Sequence, residues 1–455
     1  MKKLVASVLL IVISLGCFAA GGKWENPFNG KDLTGWERLN GTAEYTIVKG
    51  EIIGTSKINT PNTFLATTRT YGDFILEYEM KMDEGLNSGV QIRSESKKEI
   101  NDGRVHGYQV ECDDSPRGWS AGIYDEARRG WLYPMEYNQA AKKSYKRAEW
   151  NKYRVEAIGN SIRTWLNGVA CANLVDDMTP AGFIALQVHG IGKAEANAGK
   201  TIRWRNIRIM TANLEANRQK MDKSVTEVSY LTNELTTTEK TDGWKLLWDG
   251  KTTEGWRGAG LATFPQKGWT IEAGMLIPNK GDNKSGGDIV TVKKYKNFIL
   301  EADFKITEGA NSGIKYFIQS EPGKPNTVGF EYQVLDDERH PDAKAGIDGN
   351  RTLGSLYDLV TANSKIFDPG QPVKRVNGIG QWNRARIEVN GIRVTHFLNG
   401  VKVVEITKGS PAFKDAIAKS KFNKAKGFGE FEEGYILLQD HGNEVAFKNI
   451  KIKEL

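Results

Sequence analysis

Two stretches of this sequence place a carboxylic acid and an amide two residues apart. Gln109 is followed by Glu111, and Glu331 is followed by Gln333. In a β-strand, residues two apart point to the same face, so each stretch presents one Glu and one Gln side by side, in opposite order. A carboxylate can accept a proton from a reacting group, and an amide both donates to and accepts from hydroxyl groups. The pattern predicts a site for a hydroxyl-rich ligand.

Histidine follows the same spacing in two other stretches. Gln187 precedes His189 by two residues, and Gln439 precedes His441 by two, in the similar segments GFIALQVHG and GYILLQDHG. Only five histidines occur in the chain, so this recurrence favours a functional role over a structural one. Imidazole exchanges protons near neutral pH, which suits chemistry next to a carbonyl group.

Cationic residues complete the set. Arg93 shares a predicted strand face with Gln91, and Lys315 occupies the place of Gln91 in the second stretch. Arg128 and Arg129 precede Gly130-Trp131, where neighbouring aromatics favour a ligand contact over plain surface charge. The triplet Asn-Ser-Gly at 87–89 and 311–313 is either a turn or part of the site, and both interpretations stay open.

These paired motifs belong to a tandem duplication. Seven segments recur in the same order, which indicates two copies of roughly 200 residues and not a short-period solenoid. The pairs begin at Phe28 and Trp248, Phe74 and Phe298, Asn87 and Asn311, Trp150 and Trp382, Leu166 and Leu398, Gly182 and Gly434, and Arg205 and Lys448.

Hydrophobic alternation with period two runs through both copies, and long amphipathic helices are missing. Asn167-Gly168 and Asn399-Gly400 are hairpin signals, because both positions tolerate positive φ. We therefore predict an all-β chain with a two-sheet sandwich at 24–211 and another at 243–455. The acidic residues of the alternating strands, Glu77 and Glu301 among them, are expected to be solvated.

The segment 212–242 lacks strand alternation and is predicted to be a short, partly helical linker. Leu214, Met221, Val225 and Val228 have helical spacing, and Thr236-x-x-Glu239 has the pattern of a capping box.

The first 19 residues have a basic start, a short apolar run and small residues after it, which predicts a signal peptide and export to the periplasm or cell surface. Cys17 offers an alternative, attachment of a lipid. No membrane span is expected.

Losing Lys2 and Lys3 lowers the net charge from +7 to about +5, and no basic block stands out, so a nucleic-acid partner is excluded. Cys112 and Cys171 make no disulfide framework.

Taken together, the motifs resemble the 3-keto-disaccharide hydrolase domain family over nearly the whole chain, once per copy. The resemblance rests on FNGKDLTGW and WDGKTTEGW, NSG, GYQVECDD and GFEYQVLDD, AGIYDEARRGWLYP, LNG, and the two histidine segments. It implies concanavalin-like, jelly-roll type sandwiches. It also implies action on an oligosaccharide or glycoside whose C3 hydroxyl has been oxidised to a ketone.

We hypothesise roles for the residues above in this reaction. Glu111 and Glu331 would be bases, His189 and His441 would be acids or orienting groups, and Arg93 and Lys315 would stabilise an enolate. The predicted substrate-binding residues are Arg93, Gln109, Arg128, Arg129, Gln187, Lys315, Gln333, Asp336, Tyr357 and Gln439. A divalent metal held by Glu and His could serve instead, and no other cofactor is expected.

Each copy departs from the family pattern. Gln109 stands where the family usually has Glu, and Phe317 stands where it often has Arg. One copy could therefore be catalytic while the other only binds. Two rival hypotheses are a carbohydrate-binding protein without catalysis and a purely structural surface protein, because this sandwich fold also occurs in lectins.

Overall fold

A computed structural model describes residues 22–279 and 287–455 of the chain. The predicted signal peptide and Cys17 lie outside the described residues. Each half forms a sandwich of two packed sheets, and every ladder but one in the described ranges is antiparallel. The all-β prediction is confirmed.

The first half consists of a seven-stranded sheet packed on an eight-stranded sheet. Its strands are β1 Trp36–Asn40, β2 Glu44–Val48, β3 Glu51–Thr55, β4 Thr63–Thr67, β5 Phe74–Met82, β6 Asn87–Glu95, β7 His106–Asp113, β8 Ile123–Glu126, β9 Gly130–Tyr133, β10 Asn151–Ile158, β11 Ser161–Leu166, β12 Val169–Val175, β13 Phe183–Val188, β14 Thr201–Met210 and, from the connector, β15 Val228–Ser229. The seven-stranded sheet has the order β1-β4-β13-β6-β7-β8-β9, and the eight-stranded sheet has the order β15-β12-β11-β10-β5-β14-β3-β2.

The second half repeats this plan with a five-stranded sheet in place of the seven-stranded one. Its strands are β16 Trp244–Leu246, β17 Trp256–Gly258, β18 Trp269–Glu272, β19 Met275–Pro278, β20 Ile289–Tyr295, β21 Phe298–Ile306, β22 Asn311–Ile318, β23 Phe330–Leu335, β24 Trp382–Asn390, β25 Arg393–Leu398, β26 Val401–Thr407, β27 Gly434–Leu438 and β28 Val445–Glu454. The five-stranded sheet has the order β17-β20-β27-β22-β23. The other sheet runs β18-β19-β28-β21-β24-β25-β26, with β16 also paired to β28.

Helices are short. The α-helices are α1 Leu214–Asn217, α2 Thr237–Thr241 and α3 Pro411–Lys419, and 3₁₀ turns occur at Asn101–Gly103, Met135–Tyr137, Gln139–Lys143, Glu195–Asn197, Pro341–Lys344 and Ser364–Ile366. The capping box predicted from the sequence is present: the Thr236 hydroxyl accepts from the Glu239 amide, and the Glu239 carboxylate accepts from the Thr236 amide. None of the helices in the described ranges is long and apolar enough to cross a membrane.

The alternation of hydrophobic and polar residues in β5 explains how this strand contributes to the core of the first half. Phe74, Leu76, Tyr78 and Met80 are buried between the two sheets. The acid between them does not behave as expected, however. Glu77 is buried and paired with Arg154 (2.8 Å) and Arg208 (2.6 Å) on the outer face.

Glu301 has the same arrangement in the second half, buried between Arg386 (2.9 Å) and Lys451 (3.1 Å). These cations hold the pKa of Glu301 well below its usual range, against the effect of burial. The expectation that these acids are solvated was wrong, because arginines and lysines on neighbouring strands cover them.

The connector and the second half pack directly on the first half. β15 adds to β12 as a parallel strand, and the carbonyl of Ser229 accepts a hydrogen bond from Arg384 (2.8 Å). Val401 belongs to the hydrophobic core cluster of the first half. The two sandwiches therefore share buried contacts.

Candidate functional sites

The acid and amide of the first half meet on the outer face of the seven-stranded sheet. Gln91 pairs with Gln109 across β6 and β7, and Gly89 pairs with Glu111. The Gln91 amide donates to Gln109 Oε1 (2.7 Å), and the Gln109 amide donates to Glu111 Oε2 (2.9 Å). Asn87 donates to Glu111 Oε1 (2.6 Å). Two amide donors thus fix the Glu111 carboxyl.

Gly89 makes room for this arrangement. A Cβ atom on Gly89 would lie 2.5 Å from Cγ of Gln109, closer than real Cβ contacts come. The missing side chain lets Gln109 lean across β6 toward Glu111. The Asn-Ser-Gly triplet therefore belongs to the site: it opens β6, supplies Asn87 as a donor and supplies the space at Gly89.

Glu111 is buried, and burial raises its pKa to about 7. The nearest cation opposes this rise: Arg117 lies 3.5 Å from Glu111 Oε1 and also pairs with Asp113. The Arg117 guanidinium lies 4.9 Å from the ring centres of both Trp119 and Trp131. A carboxyl group with this pKa can take up or release a proton at neutral pH.

Gln187 lies on the same face of the sheet. The β13–β6 register places it opposite Gly89, on the side away from Glu111. Its side chain is fully buried, and neither its amide nitrogen nor its amide oxygen has a hydrogen-bond partner. Buried amides are almost always satisfied, so an unpartnered one on the sheet face that carries Glu111 indicates a place for a ligand.

His189 does not join this cluster. It follows β13 at the exposed edge of the sheet, where Nδ1 contacts the Gly190 carbonyl (2.9 Å). The charges of Glu126 and Arg104 act on its imidazole. The described residues show no hydrogen bond between His189 and Glu111, so the expected grouping of acid and imidazole is not formed here.

The second half has the same register with the acid and amide exchanged. Lys315 pairs with Glu331, and Gly313 pairs with Gln333, across β22 and β23. Lys315 Nζ lies 3.6 Å from Glu331 Oε2. With its nitrogen turned toward the acid, Gln333 donates to Glu331 Oε1 (3.2 Å) and to the Ser312 carbonyl (3.2 Å). Burial raises the pKa of Glu331, although Lys315 and Lys421 oppose the rise.

Further groups surround Glu331. Lys421 donates to the Tyr357 hydroxyl (3.0 Å), and that hydroxyl donates to Asp342 (2.8 Å). The Tyr357 backbone amide donates to the Glu331 carbonyl (2.9 Å), so Tyr357 lies beside the second site, and its substrate-binding role stays a prediction. Burial raises the pKa of Asp288, which senses the charges of Lys315 and His441.

His441 is exposed, and its ring stands edge-on to that of His340, with the ring centres 5.9 Å apart. It therefore borders the second cluster through Asp288. Gln439 contributes its backbone to the sheet: its amide donates to Gly313, and its carbonyl accepts from Ser312.

Arg93 is not a site residue. It has φ +45° at a β-bulge, so it leaves the strand alternation, and its buried guanidinium donates to the Gly72 and Gly159 carbonyls and to Asp73 (2.8 Å each). Phe317 occupies the equivalent bulge in the second half, with φ +61°, and packs in the core there. The prediction that Arg93 shares the Gln91 face was wrong because alternation fails at a bulge.

Arg128 and Arg129 are also used within the fold. Arg128 donates to Asp125 (2.7 Å) and Thr179 (2.6 Å), and Arg129 donates to Asp125 (2.6 Å) and Asp176 (2.7 Å). These contacts connect β8 and the turn after it to the segment that follows β12. The structure therefore corrects the expectation that the two arginines contact a ligand.

Asp336 is a loop residue whose carboxylate accepts from the backbone amides of Gly309 (2.8 Å) and Glu338 (3.1 Å). Backbone donors lower its pKa, although burial opposes them. It holds the turn after β23 and does not reach the Glu331 cluster through any hydrogen bond in the described residues. The substrate-binding role expected for Asp336 is thus corrected.

In the described ranges, 22–279 and 287–455, no three His, Cys, Asp or Glu side chains come together in a way that could hold a metal ion. Both predicted acids face amide N–H donors and cations, and neither group can ligate a metal ion. The residues therefore do not fit the divalent metal considered from the sequence.

The sequence pattern of the 3-keto-alpha-glucoside-1,2-lyase-like domain matches residues 23–210 and again residues 243–453. The chain belongs to this family. A 3-keto-disaccharide hydrolase of Bacteroides thetaiotaomicron is 39% identical over 242 residues, which cover 47% of this chain and 79% of that protein.

Two solved structures each resemble about half of this chain. One from Parabacteroides distasonis, provisionally assigned to the glycosyl hydrolases, is 33% identical, with a TM-score of 0.43, and covers 49% of this chain and 99% of its own. A second from the same organism, with the same provisional assignment, is 28% identical, with a TM-score of 0.36, and covers 47% and 99%.

The sequence analysis did not identify Arg117, the cation of the first site. Arg117 lies in the loop after β7 and reaches back to Glu111, so strand alternation could not place it. The aromatic pair Trp119 and Trp131 that packs on its guanidinium was the only sequence signal for it.

Proposed function

We propose that this protein is an exported enzyme that cleaves glycosides whose C3 carries a ketone. The observation that carries the proposal is the Glu111 carboxyl, buried beneath a sheet face, fixed by Asn87 and Gln109, with its pKa raised to about 7. A proton next to a ketone is acidic enough for such a base, whereas an ordinary glycosidase needs two carboxylates flanking the glycosidic bond.

The proposed reaction has two steps. Glu111 removes the proton on C2, and the electrons of that C–H bond form an enolate with the oxygen on C3. The enolate then re-forms the ketone and expels the group on C1, which leaves a C1–C2 double bond. Water then adds its hydroxyl to C1, its other proton goes to the expelled oxygen, and the protonated Glu111 returns its proton to C2.

In the first half, Arg117 would stabilise the negative charge of the enolate, because the Arg93 guanidinium already binds other groups of the fold. Arg117 lies within 3.5 Å of Glu111, close enough for a cation to favour a developing enolate. Gln187, unpartnered on the same face, would bind a sugar hydroxyl through both ends of its amide. In the second half Glu331 and Lys315 would take the parts of base and cation.

A chromogenic 3-keto-α-glucoside tests this proposal against its unoxidised parent. We expect release from the keto compound alone. Glu111→Gln and Glu331→Gln, made separately, identify the working half, since loss of a general base lowers the rate about 10²- to 10⁴-fold. Glu37→Gln, an exposed acid of the first half, is the control. Release that survives in the double variant Glu111→Gln/Glu331→Gln would contradict the assigned bases.

A non-catalytic carbohydrate-binding protein is the second candidate, favoured by the unpartnered Gln187 amide and by the neighbouring Tyr124 and Trp131 rings. It predicts binding of both compounds and release from neither.

Export is proposed from residues 1–19, with lipid attachment at Cys17 as the alternative. Fractionation of cells, followed by mass measurement of the mature N-terminus, distinguishes the two and would reject export if the protein stays in the cytoplasm with Met1 intact.

A further inference from the structure

A segment of the second half lies against the first-half site. Lys142 pairs with Asp368 (3.5 Å), and the Gln371 amide donates to Glu136 (3.3 Å). Further along, Asn377 Oδ1 lies 3.4 Å from where a Cβ atom would stand on Gly130. This segment, 368–377, therefore packs on the start of β9 and on the 3₁₀ turns that follow β9.

Arg375 is the residue of this segment that comes closest to the site. Its guanidinium carbon lies 4.2 Å from the ring centre of Trp119, and the Arg117 guanidinium lies 4.9 Å from the same ring. Trp119 is fully buried, so both arginines cover one indole. One cation comes from each half of the chain.

The charges around Arg375 are those of the first-half site. Burial and the neighbouring Arg117 lower its pKa to about 10, while Asp113 and Tyr124 oppose the change. Tyr124 in turn senses Glu111, as the effects on its own pKa show. Arg375 is thus in electrostatic contact with the face that carries Glu111.

The donors of Arg375 are only partly used. Its Nε donates to Gln371 Oε1 (3.0 Å), and within the described ranges this is the only side-chain hydrogen bond that Arg375 makes. The residue is half-buried, and none of its nitrogens is among the sealed, unpartnered atoms. The two terminal nitrogens can therefore still reach a ligand.

We propose that Arg375 is a substrate-binding residue of the first-half site, supplied by the second half of the chain. Arg117 pairs with Glu111 and contacts the same Trp119 ring as Arg375. Arg375 would therefore bind the sugar ring next to the one that reacts. Its free donors fit the hydroxyl and ring oxygens of a second sugar. The inference rests on the proposed function and adds that the second half of the chain supplies a residue to the leaving-group side of the first-half site.

Two substrates with the same reacting ring test this, the 3-keto form of maltose and a 4-nitrophenyl 3-keto-α-glucoside. For Arg375→Ala in the full chain we expect KM for the disaccharide to rise about tenfold, the effect of losing one charged hydrogen bond. Its kcat, and KM for the aryl glycoside, should stay within about twofold. Arg375→Lys, which keeps a donor, should recover part of the loss.

Arg393→Ala, an exposed arginine of the same half, is the matched control and should behave as wild type. A purely structural role for Arg375 would lower Tm and affect both substrates alike, which would overturn the proposal. An unchanged KM for both would overturn it as well.

Wild-type protein in the same assay separates this inference from the proposed function. If it cleaves neither keto compound, the proposed function fails, and tryptophan fluorescence titrated with maltose then decides the inference. A Kd about tenfold weaker in Arg375→Ala supports it. Equal affinity in the two proteins, or no binding to wild type, overturns it.

Discussion

Burial raises the pKa of Glu111 to about 7, although Arg117 and the amide donors Asn87 and Gln109 oppose the rise. A carboxyl group is protonated below its pKa and cannot act as a base there. We therefore expect kcat/KM on a 3-keto-glycoside to rise with pH through about 7 and then to level off. The profile is measured from pH 5 to 9. An increase centred near 4.5, the ordinary value for Glu, would contradict a role for Glu111 as base.

Gln187 provides a second prediction at the residue scale. Its buried amide has no partner, so Gln187→Leu removes two unsatisfied polar atoms at nearly constant volume. We expect Tm to stay equal or to rise, while KM rises about tenfold because the ligand loses a hydrogen-bonding partner. Thermal unfolding and initial rates measure the two effects. Gln219→Leu, an exposed amide in the connector, should change neither. A fall in Tm with unchanged KM would make Gln187 structural.

Residue identity and period two were enough to bring Gln109, Glu111 and Gln187 together. They failed for Arg93, because a bulge turned its side chain away from the predicted face. They also could not reveal Arg375, which lies far away in the sequence and meets the first site only through tertiary packing.

At the scale of elements, Gly89 in β6 and Gly313 in β22 leave space for the side chains of the two sites. A Cβ atom would lie 2.5 Å from Gln109 Cγ in the first half and 2.2 Å from Glu331 Oε1 in the second. We expect Gly89→Ala and Gly313→Ala each to cost about 1–3 kcal/mol in unfolding free energy. Only the substitution in the catalytic half should also abolish turnover.

Denaturant unfolding and initial rates check these glycine variants. Gly378→Ala is the matched control, since a Cβ atom there meets nothing within 4 Å. Full activity in both Gly89→Ala and Gly313→Ala would show that the spacing of acid and amide does not matter.

Hairpin chemistry and alternation predicted the sandwiches well. Asn167-Gly168 and Asn399-Gly400 have positive φ at the two-residue turns, as expected. The sequence could not show how strongly the outer sheet faces are neutralised, because Arg154 and Arg208 reach Glu77 from separate strands.

At the scale of the whole molecule, Asp303 and Arg384 form a buried ion pair (2.6 Å), and Arg384 also binds the connector at Ser229. Asp303→Ala leaves the Arg384 charge without its partner. We expect a loss of about 3–5 kcal/mol in unfolding free energy, measured by denaturant titration. Asp415→Ala removes an exposed pair with Lys419 and should cost at most about 0.5 kcal/mol. Equal losses would contradict the buried pair.

The parallel pairing of β15 with β12 has a consequence for limited proteolysis. Lys223 is exposed just before β15, so trypsin can cut there. The carboxy-terminal fragment would then begin with the strand that completes the amino-terminal sheet. The two fragments of such a nicked protein should elute together on gel filtration and separate only in denaturant, like two pieces joined by strand donation.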